Sequence, residues 1–198
     1  MKHSAKSKAP YWILAFSVLC AVLVILFFYF ISSEKSQQSE QVGEEKIPES
    51  KTSQLPSFTI KTIDGKTITK NDIYGKVVFL NFFATWCPPC KAETPGIVAL
   101  YNKYSSRGLI VLGISVDQEN PTERVKDFVQ AYRINYPVAI ADREIVRLFG
   151  DIRSIPTSFL IDKNGRIRKR LVGYQDESTL ERLIQHLLEE KEEPQVQI

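Results

Sequence analysis

The sequence predicts an α/β domain built on one mixed sheet with helices covering both faces. Three observations carry this. Short runs rich in Val, Ile and Phe alternate with longer stretches whose apolar residues recur at helical spacing. The run Val77-Val78-Phe79-Leu80-Asn81-Phe82-Phe83 is almost wholly apolar, as a strand covered on both sides requires. Near the C-terminal end, two strand-like runs flank Asn164-Gly165, a hairpin signal, so part of the sheet is antiparallel.

Taken in order, residues 58–69 alternate around Asp64-Gly65 and read as an N-terminal hairpin. Val77 to Phe83 is the buried strand. A helix follows from about Pro89 to Arg107, with Ile97, Leu100, Tyr101 and Tyr104 on its apolar face and Gly108 as its stop. Pro95 and Gly96 should kink it. Leu109 to Ser115 is the next strand. Asn120-Pro121-x-Glu123 reads as an N-cap, a first-turn proline and an N3 acid, opening a helix with Val125, Phe128, Val129 and Tyr132 inward. A short strand at Val138–Ile140 and a short helix near Arg143–Phe149, ended by Gly150, come next. Thr157–Asp162 and Ile167–Val172 form the closing hairpin. Ser178-x-x-Glu181 opens a last helix with Leu180, Leu183, Ile184 and Leu187 inward. Phe79, Phe82, Phe128 and Phe159 belong to the core. The charges of Ile167-Arg168-Lys169-Arg170 mark an exposed strand face.

The N-terminal region has a different composition. Lys2, Lys6 and Lys8, with no acid among residues 1–10, precede an uncharged apolar span from Tyr11 to Ile31. Its 21 residues match the roughly 20 that cross a hydrocarbon core as a helix. The lysines place residues 1–10 in the cytoplasm, and Tyr11, Trp12 and Tyr29 suit the two interfaces. The expected organisation is therefore a basic cytoplasmic stretch (1–10), a single transmembrane anchor (11–31), a polar flexible linker (32–54), the folded domain (55–188) and a charged tail (189–198). The domain then lies outside the cytoplasm, in a periplasm or on the outer face of the cell membrane. The competing reading is a cleaved signal peptide. That would have a shorter apolar core of about 7–15 residues and a small-residue cleavage site, which Phe30-Ile31-Ser32-Ser33 does not supply. Cys20 follows Leu19 rather than a small residue, and reads as a lipid-facing side chain.

The chemistry concentrates in Trp86-Cys87-Pro88-Pro89-Cys90. Two cysteines at this spacing, between a strand and a helix, can close and reopen a small disulfide. At a helix N-terminus, unpaired N–H groups and the macrodipole favour a thiolate, which is the nucleophile. A purely structural disulfide of this ring size would stabilise little, roughly 2 kcal/mol. A metal site needs three or four ligands, and the folded segment adds only His186 to the two cysteines; no metal and no cofactor are expected. The net charge of +3, with basic residues dispersed, points to no nucleic-acid partner.

The segment from Asn81 to Pro95 resembles the active-site segment of membrane-anchored, extracytoplasmic thioredoxin-like proteins of the ResA, TlpA and CcmG type. Ser154-Ile155-Pro156-Thr157-Ser158-Phe159-Leu160-Ile161-Asp162 is similar to their second signature, and Gly113 to Asp117 with the helix from about Pro121 to Arg133 resembles their central insertion. The resemblance implies a thioredoxin-like fold and a set of roles. Cys87 is the exposed nucleophile and Cys90 the resolving cysteine. Trp86, Pro88, Pro89, Ile155 and Pro156 border the substrate, with a cis bond before Pro156. Small thioredoxins carry a buried aspartate six residues before the first cysteine; here that position is Asn81. Glu93, three residues after Cys90, matches the glutamate of ResA-type proteins and is the candidate proton shuttle; the alternative is a solvated first-turn glutamate.

By this resemblance the protein is a thiol–disulfide oxidoreductase that reduces protein disulfides. The implied client is the haem-site disulfide of apocytochrome c, and the implied electron donor an integral membrane protein of the CcdA or DsbD type. Other clients, an oxidant, a peroxidase-like redoxin and a non-enzymatic substrate-binding or holdase module are the alternatives. A monomer is the default expectation.

Overall fold

A computed structural model of the chain describes Cys20, residues 22–27 and residues 54–190. Cys20 and residues 22–27 are helical, and the side chains from Val22 to Phe27 are exposed. The rest of the expected 11–31 span lies outside the described residues. Among the described residues no helix is long and apolar enough to cross a membrane.

Seven strands and five helices make up residues 54–190. In chain order they are β1 (Thr59–Lys61), β2 (Thr67–Thr69), α1 (Lys70–Ile73), β3 (Val77–Phe83), α2 (Pro88–Tyr104), β4 (Leu109–Ser115), α3 (Pro121–Ala131), β5 (Val138–Ile140), α4 (Arg143–Leu148), β6 (Thr157–Ile161), β7 (Ile167–Val172) and α5 (Glu177–Glu189). The main sheet runs β5-β4-β3-β6-β7. β3 pairs parallel with β4 and antiparallel with β6, so the sheet is mixed.

All seven residues of β3 are buried, and they alternate between two cores. Val77, Phe79 and Phe83 face one cluster, which contains Ile97, Leu100 and Tyr104 of α2, Val125 and Phe128 of α3, and Leu180, Ile184 and Leu187 of α5. Val78, Leu80 and Phe82 face the other, with Phe58, Ile60, Ile73, Ile145, Phe149 and Phe159. The strand period of two thus puts Asn81, a lone polar residue of β3, on the α2 side. Phe82 meets Phe149 and Phe159 edge-on, with ring centroids 5.5 and 6.1 Å apart. The β1–β2 hairpin joins the edge of the main sheet at β5 through the Ile63 N–H, which donates to the Val138 carbonyl oxygen at 2.8 Å.

Several details differ from the sequence reading. The turn α1 was not expected, because four residues show no period; the Thr69 N–H and hydroxyl both donate to Asp72, at 2.7 and 2.6 Å, and fix it. The helix after β3 gives way to a 3-10 turn at Ser105–Arg107 before Gly108, whose φ of 98° is the left-handed stop. α2 continues through Pro95, which has no N–H to offer the Lys91 carbonyl; Lys91 is an exposed residue. Asn120 precedes Pro121, but its backbone is left-handed (φ 45°) and its side chain does not cap α3. Asp176, not Ser178, caps α5: it accepts from the Thr179 N–H at 2.9 Å and also takes the Ser178 hydroxyl. Arg170, expected on an exposed face, lies over the Phe159 ring at 5.6 Å with its Nε buried.

Phe82 is fully buried between two rings, so Phe82→Ala should destabilise the domain by about 3–5 kcal/mol. Urea unfolding followed by far-UV circular dichroism measures this.

Candidate active site

Phe83 ends β3, and three residues carry the chain to Cys87, the N-cap of α2. Pro88 and Pro89 then occupy the first helical turn, where a missing N–H costs nothing and φ is already helical. The Cys90 N–H donates to Cys87 Sγ at 3.2 Å, so sulfur stands where an N-cap residue usually offers oxygen. The two cysteines form a disulfide, with Cα atoms 5.3 Å apart.

Cys87 was expected to be the exposed sulfur. In this disulfide form both cysteines are only 2% exposed. Cys87 is bonded to Cys90 on the helix side and lies 3.9 Å from the Ile155 carbonyl oxygen on the other; these neighbours cover the surface a free thiol would present. The residues around it are open. Trp86 is 60% exposed, Pro88 and Pro89 are exposed, and Ile155 is half-buried. Pro156 is buried, and the Ile155–Pro156 bond is cis. Pro156 precedes β6, whose Thr157 is the register partner of Phe82 at the end of β3. The neighbouring strands therefore bring the cysteine turn and the Ile155–Pro156 segment together.

Asp117 is a part of this site to which the sequence reading gave no role. It is buried, and its carboxylate accepts from the Thr85 N–H (2.9 Å), the Thr85 hydroxyl (2.7 Å) and the Ser115 hydroxyl (2.7 Å). It thereby ties the end of β4 to the loop that presents Trp86 and Cys87. Its signal in the sequence is an acid just after a buried strand, where a carboxylate needs donors.

Glu93 is not a solvated first-turn residue: it is 3% exposed. Its Oε2 receives the Asn81 amide at 3.4 Å, and the same Asn81 nitrogen donates to the Ser158 hydroxyl at 2.9 Å. Among the described residues Oε1 has no hydrogen-bond partner. Burial therefore pushes the carboxyl up from 4.5 to about 8, against the weaker opposing pull of the Gln175 backbone amide and Asn81. The buried phenol of Tyr136 is raised in turn, by burial first and then by the Glu93 charge. Cys90 and Glu93 are three residues apart on α2 and share its inner face. An acid with a pKa near that of a free thiol (about 8.5) can exchange a proton with it at little cost.

A reversible disulfide at a strand-to-helix turn, facing a proline-led strand and backed by a buried acid, defines a thioredoxin-fold thiol–disulfide oxidoreductase. An AhpC/TSA family profile matches residues 52–170. The chain is 33% identical to the thiol-disulfide oxidoreductase ResA of Bacillus thuringiensis subsp. konkukian (strain 97-27), over 92% of this chain and 98% of that protein. It is 35% identical to ResA of Bacillus subtilis (strain 168), over 70% of this chain and 75% of that one. The crystal structure of a thiol:disulfide interchange protein of the thioredoxin family from Chlorobium tepidum TLS superposes with a TM-score of 0.65 and 37% identity, over 69% of this chain and 96% of that one. The chain belongs to the AhpC/TSA family and, within it, to the thiol-disulfide oxidoreductases of ResA type.

Because the folded state holds the Glu93 proton more tightly than the unfolded chain, its stabilising contribution is full below about pH 4.5 and lost as pH rises through about 8. Denaturant unfolding of the oxidised protein at pH 5 and pH 8.5 should show the wild type losing a few kcal/mol relative to Glu93→Gln. Identical pH dependence of the two proteins would contradict the burial of this charge.

Proposed function

We propose that the protein is an extracytoplasmic protein-disulfide reductase, anchored by residues 11–31 and serving cytochrome c maturation. The observation that carries the direction of the chemistry is the buried Glu93 behind Cys90. Strong oxidants of this class owe their power to a stabilised thiolate, which favours the reduced form. Here the helix N-terminus and the Cys90 N–H favour the Cys87 thiolate, while a buried acid with an unpartnered oxygen opposes negative charge nearby. No lysine, arginine or histidine pairs with Glu93 among the described residues. That balance holds the potential on the reducing side.

The cycle starts from the dithiol. The Cys87 thiolate attacks a substrate disulfide; that S–S bond breaks, one substrate sulfur leaves as a thiolate, and a mixed disulfide forms. The Cys90 thiol gives up its proton, with the carboxylate form of Glu93 as acceptor, and attacks Cys87. The second substrate sulfur leaves and is protonated. The substrate gains two electrons, and the protein is left as the Cys87–Cys90 disulfide. Trp86, Pro88, Pro89, Ile155 and Pro156 border the attacking sulfur and form the substrate contact.

The apolar span after three lysines supports an anchor with the N-terminus in the cytoplasm and the domain outside. The helical residues 22–27, with exposed apolar side chains, agree with it. Disulfides persist outside the cytoplasm, so a reductase there needs electrons carried across the membrane. An integral membrane dithiol donor of the CcdA or DsbD type fits that need. The resemblance of residues 81–95 and 154–162 to the ResA, TlpA and CcmG type supports the haem-site disulfide of apocytochrome c as the client, whose freed thiols can then attach haem.

Cys90→Ala should accumulate mixed disulfides through Cys87 in cells, and mass spectrometry of the trapped partners should recover a c-type cytochrome. Cys87→Ala should trap none. A midpoint potential near the roughly −120 mV of a strong periplasmic oxidant would overturn the reductase direction.

A further inference from the structure

A groove of about 1070 Å³ opens beside the disulfide. It is lined by Trp86, the chain neighbour of Cys87, and by Ile155, whose carbonyl oxygen lies 3.9 Å from the Cys87 sulfur, so the groove begins next to the reacting bond. Its far side is built from α4 and the loop before Pro156, and it carries Arg143, Arg147 and Arg153. All three are exposed, and among the described residues none forms an ion pair. The hydrogen bond they make is from Arg147 Nε to the Arg143 carbonyl oxygen, at 3.3 Å.

Two acids also line the groove, and both serve the fold. Asp117 is buried and accepts from Thr85 and Ser115. Asp142 caps α4, accepting from the Ile145 N–H at 2.7 Å. Three guanidinium groups against these two carboxylates leave the groove net positive, and its remaining wall is largely apolar. A guanidinium presents a planar fork of donors matched to carboxylate, and three such groups along one path select an anionic chain.

We infer that this groove receives an extended, acidic stretch of the substrate protein adjoining its disulfide, and that Arg143, Arg147 and Arg153 pair with its carboxylates. The inference rests on the disulfide-reductase reading and adds the chemistry of the substrate to it. Trp86 and Ile155 hold the part of the segment next to the reacting sulfur, and the arginines hold the part beyond. Opposite charge speeds encounter as well as holding the complex, so the effect falls on the association step and weakens with salt.

The test uses the full-length chain in a zwitterionic or neutral detergent. Three disulfide-bridged peptides share one core and differ only in flanking residues: aspartate and glutamate, serine and glutamine, or lysine and arginine. Stopped-flow kinetics gives the second-order rate of their reduction by the dithiol protein. Fluorescence anisotropy gives the affinity of labelled, cysteine-free versions for the oxidised protein. The acidic peptide should be reduced, and its cysteine-free version bound, about five- to tenfold better than the neutral one, the size expected of two or three exposed ion pairs acting together. The advantage should fade at 0.5 M salt. In Arg143→Gln/Arg147→Gln/Arg153→Gln, acidic and neutral peptides should become equal. Equal binding of all three peptides by the wild type, or an acidic preference that survives the triple substitution, overturns the inference. If no peptide is reduced while the acidic one still binds best through the arginines, the groove assignment stands and the reductase reading falls.

Discussion

Strand β3 is committed on all four sides. β4 and β6 take its backbone hydrogen bonds, and two separate apolar clusters take its faces. Such a strand has one register, because a slip by one residue would turn Phe79 and Phe83 into the core of Phe82 and Leu80. Every part of the site is indexed to that register. The end of β3 delivers Cys87 to the first turn of α2. The antiparallel partner β6 starts opposite that end and brings Ile155 to the sulfur. The parallel partner β4 ends level with Phe83 and supplies Asp117, which holds the intervening loop. Asn81, in the middle of the strand, sets the Glu93 carboxyl through its amide.

This arrangement places two opposed electrostatic influences around one disulfide. In front, the helix terminus and the Cys90 N–H offer positive potential to the Cys87 sulfur. Behind, a carboxyl is buried with one oxygen unpartnered. Glu93 at about 8 is protonated through most of the neutral range, so the interior stays uncharged until a thiol must lose its proton. Only its ionised fraction, which grows as pH approaches 8, can take up a thiol proton, which is the role proposed for it above. A permanent buried cation would instead stabilise the thiolate and make the dithiol form a poor donor of electrons.

Much of this was legible in the sequence for identifiable reasons. β3, β4, β5 and β7 are apolar or alternating runs bounded by glycine, proline or polar residues, and their limits coincide with the pattern. Cys87 and Cys90 are marked by spacing alone. Glu93 was singled out by resemblance, but its burial depends on Asn81 and Ser158 lying in register across two strands distant in sequence, which no local pattern reveals. Asp117 remained without a role for the same reason: its partners are Thr85, on another loop, and Ser115, whose side chain direction is set by the sheet. The cap of α5 was misplaced because Ser178 and Asp176 are both good N-caps; in the fold Asp176 takes the Thr179 N–H and the Ser178 hydroxyl as well. Arg170 was read from charge, whereas an aromatic ring on the neighbouring strand decides its position.

The central claim is that Glu93 controls the ionisation of the cysteine pair from inside the domain. The direct measurement is the pH dependence of alkylation of Cys87 and Cys90 in the reduced protein, resolved by mass spectrometry, for the wild type and Glu93→Gln. The two thiols and the carboxyl titrate as a coupled set, so whole profiles are compared. The account predicts that removing the carboxyl shifts thiolate formation to lower pH and slows release of the mixed disulfide. Superimposable profiles with unchanged exchange rates would contradict it.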